Sequence, residues 1–145
     1  MHAVTRFFVP VVTLAVAIAA PVFAVETARL DLRFTGIETP SGAIMAVVFA
    51  NEADYTAGKP VRALMIPAKG ATAAEIVAGL APGRYAIKAF HDVDGDGQMG
   101  ANPFGQPTEP FAFSNNAPGN MGPAPWSAAA FDIGAGTTIQ TITIK

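Results

Sequence analysis

Alternation of apolar and polar residues, repeatedly cut by Pro and Gly, constrains this chain most. In 27–36, Ala28, Leu30, Leu32 and Phe34 fall on one side and Arg29, Asp31 and Arg33 on the other. A period of two over that length specifies a strand with one wet face. Gly36 and Pro40-Ser41-Gly42 end it. Ala43 to Phe49 is apolar on both sides, which predicts a central strand covered on both faces. Asn51 to Pro60 reads as a polar loop whose one large apolar member is Tyr55. Val61–Ile66 and Ala71–Val77 are short strands separated by Pro67 and Gly70, and Gly79–Gly83 is a turn. Arg84–His91, Ala128–Ile133 and Thr137–Ile144 complete the set. About seven short strands with turn signals between them, and no persuasive helix, predict an all-β sandwich.

The N-terminus lies outside this pattern. His2 and Arg6 precede an uncharged stretch from Phe7 to Phe23, interrupted by Pro10 and Pro21 and closed by Val22-Phe23-Ala24. Small residues at 22 and 24 match the −3 and −1 positions of a signal peptidase site, and the apolar core is too short for a comfortable bilayer span. Residues 1–24 are therefore expected to be a cleavable signal peptide and 25–145 one exported domain, periplasmic or secreted, with no transmembrane span after processing. Losing Arg6 takes the net charge from −2 to −3. That mild acidity, with no basic run, argues against a nucleic-acid partner. There is no Cys, so no disulfide supports the fold in an oxidising compartment.

Residues 92–127 form an unusually long, Gly- and Pro-rich connection, and such loops are functional or disordered. Phe104, Phe111, Phe113 and Trp126 argue for order, packing the loop onto the sandwich. It opens with His91-Asp92-Val93-Asp94-Gly95-Asp96-Gly97-Gln98. Asp at positions 1, 3 and 5 with Gly at 6 matches the first half of a calcium loop. Three carboxylates at alternate positions can converge on one hard cation, and the Gln98 carbonyl would be a fourth ligand. Position 12 is Pro103, so the bidentate Glu of an EF-hand is missing, and Glu109 is the carboxylate expected to fold back and complete the shell. The candidate ligands for Ca²⁺ are thus Asp92, Asp94, Asp96, Gln98 and Glu109. The same pattern also encodes a solvated Asp-Gly turn.

His91 is the one histidine beyond the signal segment. At a strand end it reads as a structural residue bonded to a loop carbonyl or carboxylate. Against this stands an envelope hydrolase or isomerase acting on carbohydrate or peptide, with His91, Asp92 and Glu109 around a pocket roofed by the long loop. No Cys, second His or Gly-x-Ser-x-Gly elbow supplies a nucleophile set.

Gly79-Leu80-Ala81-Pro82-Gly83-Arg84-Tyr85 through His91-Asp92, Asp94-Gly95-Asp96-Gly97, Gly105-Gln106-Pro107-Thr108-Glu109 and Phe113-Ser114-Asn115-Asn116-Ala117 together resemble the DUF2141 family of exported bacterial proteins, whose function is uncharacterised. The resemblance covers essentially all of 25–145. It implies a prealbumin-like or immunoglobulin-like sandwich, since the Leu-x-Pro-Gly-x-Tyr turn is shared with such modules, and it implies no catalytic set. This sequence departs from the family pattern at Gly100, where an Asp is common, and at Pro110, where a Gly is common. The first change removes a fifth ligand. The expected function is a non-catalytic binding or structural module of the cell envelope, meeting an envelope protein or glycan through the loop at 92–126.

Overall fold

A computed structural model describes residues 28–145. The expected signal peptide and its cleavage point after Ala24 lie outside the described residues. Among the described residues, eight strands form two sheets. The smaller sheet has the order β4-β1-β8, from Ala73–Leu80, Ala28–Thr35 and Thr137–Thr143. The larger runs β3-β2-β5-β6, from Arg62–Pro67, Ala43–Phe49, Gly83–Asp92 and Phe111–Phe113, with β7 (Phe131–Ile133) also on β5. All pairings are antiparallel except β1 with β8. This is the all-β sandwich the alternation predicts.

The faces follow from the residue pattern. Leu30, Leu32 and Phe34 of β1 are fully buried against Ile44 and Val48 of β2, Ile87 of β5 and Ile142 of β8. Arg29, Asp31 and Arg33 lie on the opposite side of β1, where Arg33 pairs with Asp31 at 2.6 Å and holds its carboxyl below the usual range. The β4 to β5 crossing between sheets takes only Ala81 and Pro82. The Tyr85 hydroxyl donates to the Ala81 carbonyl at 2.8 Å and pins that corner.

One side of β5 is completed by a broken partner. Gly83–Tyr85 pair with β7 and Lys88–Phe90 with β6. In the gap, the Ile87 N–H donates to Ser114 Oγ at 2.9 Å, and the same hydroxyl donates to the Ala129 carbonyl. Asn115 and Asn116 adopt positive φ of 59° and 52°, which Asn tolerates better than most residues. Asn116 Oδ1 accepts from Thr143 N at 2.7 Å, so its side chain stands in for a strand on the open edge of β8.

Several local expectations are corrected. Asn51–Pro60 is not a loop, because Glu52–Ala57 form helix α1. Asn51 Oδ1 accepts from Asp54 N, and Gly58 takes the left-handed position at the other end. Strand β4 continues through Gly79 and Leu80, which were expected to turn. Ala128 and Ala129 belong to a short helix, α2 (Trp126–Ala129), and the strand starts only at Phe131. The connection at 92–127 is ordered and itself contains β6, a 3-10 turn at Ser114–Asn116 and the first residues of α2. Among the described residues, no helix is long and apolar enough to cross a membrane.

Candidate functional site

Two features meet at the end of β5. The first is the acidic loop. Asp92 closes the strand and is 4% exposed. Gly42, at φ +64°, presses so closely on it that a Cβ would stand 1.9 Å from the Asp92 carbonyl oxygen. Asp92 Oδ1 accepts from Gly95 N at 2.8 Å and Oδ2 from Gly97 N at 3.0 Å. Asp94 Oδ1 accepts from Asp96 N, and Asp96 Oδ1 accepts from Gln98 N at 2.7 Å. Gly95 and Gly97 have φ near +80°, the left-handed backbone this wrapping needs. One oxygen from each of Asp92, Asp94 and Asp96 lies within 4.8 Å of the others. At that spacing each ionised pair repels by roughly 1–4 kcal/mol, from fully aqueous to near-surface dielectric. An all-oxygen set with such a charge fits a hard divalent cation.

The remaining sequence candidates sit differently. Glu109 is outside that cluster: Oε1 accepts from Val93 N at 2.9 Å and Oε2 from Gly100 N at 3.0 Å. It ties together the two ends of the acidic segment from behind. Gln98 enters through its N–H on Asp96. A Cβ at Gly100 would stand 2.6 Å from Thr108 Oγ1, so a side chain there needs the Thr108 side chain to move. His91 is 1% exposed, and its Nε2–H donates to the Ser41 carbonyl at 2.8 Å. A carbonyl only accepts, so this bond fixes the proton on Nε2. His91, Asp92 and Glu109 do not line either of the two surface cavities described.

The second feature is an open groove of about 1090 Å³ on the outer face of the larger sheet. Its floor includes Met45, Val47, Phe90 and Phe113 of β2, β5 and β6, and its walls carry Met99, Phe104 and Met121 from the long connection. The wall begins at Gly97 and Met99, immediately after the acidic loop. A small hairpin at 101–107 presents Phe104. Its turn is held by Asn102 Oδ1, which accepts from Phe104 N and Gln106 N. Phe104 is 89% exposed and Met121 fully so.

A family model described as "Uncharacterized protein conserved in bacteria (DUF2141)" matches residues 32–141, from inside β1 to inside β8. The chain belongs to the DUF2141 family. Comparison with curated proteins and with solved structures gave no match. The family match thus takes in the sandwich, the acidic loop and the groove together.

Among the described residues, Lys88 is the one charged residue lining the groove of this DUF2141 domain. Its Nζ donates to the Tyr55 carbonyl at 2.8 Å and lies 4.0 Å from the Tyr55 ring centroid and 5.0 Å from that of Phe49. Burial lowers its pKa from the ordinary lysine value. Tyr55 in turn donates its hydroxyl to the Ala124 carbonyl, and burial pushes its pKa up to about 12. Trp126 meets the Tyr55 ring edge-on at 5.7 Å. The groove was not legible as a site in the sequence because its members come from separate segments. A usable signal was the second apolar face of β2, whose outward residues Met45 and Val47 are only half buried.

Proposed function

We propose that this domain is an exported, non-catalytic binding module of the bacterial cell envelope, whose long connection is its contact surface and whose acidic loop takes Ca²⁺. The observation that supports this reading most is continuity. The segment holding Asp92, Asp94 and Asp96 runs straight into the wall of the groove at Gly97 and Met99. Asp92, Asp94 and Asp96, with the Gln98 carbonyl, would hold the ion, and Glu109 would brace the loop through backbone N–H groups. An ion there removes the carboxylate repulsion and lowers the entropy the wall loses when a ligand settles against it. Acid–base chemistry at His91, Asp92 and Glu109 lacks comparable support, since all three are engaged in internal hydrogen bonds and none lines the groove.

Thermal melting with calcium tests the ion. At ten times its dissociation constant, Ca²⁺ stabilises by about 1.4 kcal/mol, which for a domain of this size raises Tm by about 5 °C. The double variant Asp94→Asn, Asp96→Asn is expected to lose that rise while melting normally in chelator. No rise at millimolar Ca²⁺ would remove the ion from the account.

A further inference from the structure

The groove has the chemistry of a site for a particular kind of molecule. A floor of Met45, Val47 and Phe90 and walls of Met99, Phe104 and Met121 offer apolar surface in a volume just above the usual range for small-molecule pockets, about 300–1,000 Å³. Three of these six are methionine, whose unbranched, polarisable side chain adapts to flexible apolar partners. Exposed Phe104 and Met121 standing around an apolar floor make a continuous surface that water covers at a cost.

The single charge decides the class. Among the described residues no carboxylate lies within 4.0 Å of Lys88 Nζ. One of its three donors is used, on the Tyr55 carbonyl, and two aromatic rings offer the remaining cation stabilisation nearby. A half-buried lysine in the lining of an apolar groove, with no acidic residue beside it in that lining, complements a ligand with one anionic group on a long apolar body.

We propose that the groove binds a single-chain anionic amphiphile, a long-chain carboxylate, with the acyl chain on the methionine and phenylalanine surface and the carboxylate on Lys88. This deepens the binding-module reading and rests on it, but it does not require the calcium ion.

Dodecanoate and dodecanol, below their aggregation limits, are the probes, each titrated calorimetrically into the protein with 1 mM Ca²⁺ and with chelator. Trp126 is the sole tryptophan and abuts Tyr55, so its fluorescence reports occupancy beside Lys88 independently. Dodecanoate is expected to bind at least tenfold more tightly than dodecanol. Lys88→Met should remove that preference while leaving dodecanol binding within threefold. Phe104→Glu, at an exposed wall position that does not threaten folding, should weaken dodecanoate at least tenfold. Equal affinity for the two probes, binding of neither, or a preference that survives Lys88→Met would overturn the assignment. So would a dimer closed over this face that dodecanoate fails to disperse. If dodecanoate fails while the calcium-dependent rise in Tm persists, the ligand class falls and the ion stands. If calcium has no effect while dodecanoate binds, the reverse holds.

Discussion

The larger sheet shows two different finishes on its two faces. Its inner face meets β1, β4 and β8 and closes completely, with Ile44, Val48 and Ile87 fully buried. Its outer face closes only towards one end, where Phe49, Tyr55, Ala124 and Ala129 form a second cluster beneath α1 and α2, with Trp126 packed against it. Beyond Lys88 the same face opens into the groove. The strands that make both faces are the same, so strand chemistry alone does not decide the outcome. What differs is the cover. A second sheet delivers a row of alternating side chains in register, whereas the outer face is covered at one end by two short helices, α1 between β2 and β3 and α2 at the end of the long connection, whose earlier part stands clear as the groove wall. A closed core and an open groove are therefore backed onto each other across one layer of backbone.

This contrast can be broken by mutation. Phe34→Ala in the closed core is expected to cost about 4 kcal/mol, the usual penalty for removing a buried aromatic ring, measured by urea unfolding. Gly42→Ala follows at about 3 kcal/mol, because it combines a left-handed backbone with a collision on the Asp92 carbonyl. Its distinguishing mark is a loss of calcium response beyond the loss of stability, since the start of the acidic loop must move.

The closed half of the outer face gives a smaller, pH-dependent effect. Tyr55 has a folded-state pKa of about 12, above its ordinary 10.0, so its contribution is present below pH 10 and lost as pH rises towards 12. Lys88 works in the opposite sense just below 10.5, where its lowered pKa makes stability rise with pH. Melting temperature against pH should therefore fall more steeply between pH 10 and 12 in the native protein than in Tyr55→Phe. At the open end, Phe104→Ser is expected to change stability by no more than about 0.5 kcal/mol, despite removing a phenylalanine. A large loss there would mean the groove wall belongs to the core.

How much of this the residues announced depends on how local the cause is. The faces of β1 follow from alternation alone, because each side chain's side is set by the pleat. Helix α1 was signalled by Asn51 and Gly58 at its ends, yet its six residues hold Tyr55 as the one large apolar side chain and carry no apolar period to reveal it. The three aspartates converge because their spacing is short and the two glycines permit the wrap. Glu109 is different: it is sixteen residues from Val93, and spacing cannot say whether such a carboxylate turns towards an ion or towards backbone N–H groups. It turns to the backbone. The split partner of β5 was hidden for a related reason, since its middle rung is the Ser114 hydroxyl rather than a strand residue.

Amide hydrogen exchange with and without calcium addresses the link between ion and groove most directly. The account predicts that Ca²⁺ slows exchange at Gly95, Gly97 and Gln98 and through the wall at 99–107, while amides of β1 and β2 keep their rates apart from the shift in global stability. Protection confined to the aspartate segment, with the wall unchanged, would contradict the claim that a cation at the end of β5 shapes the binding surface.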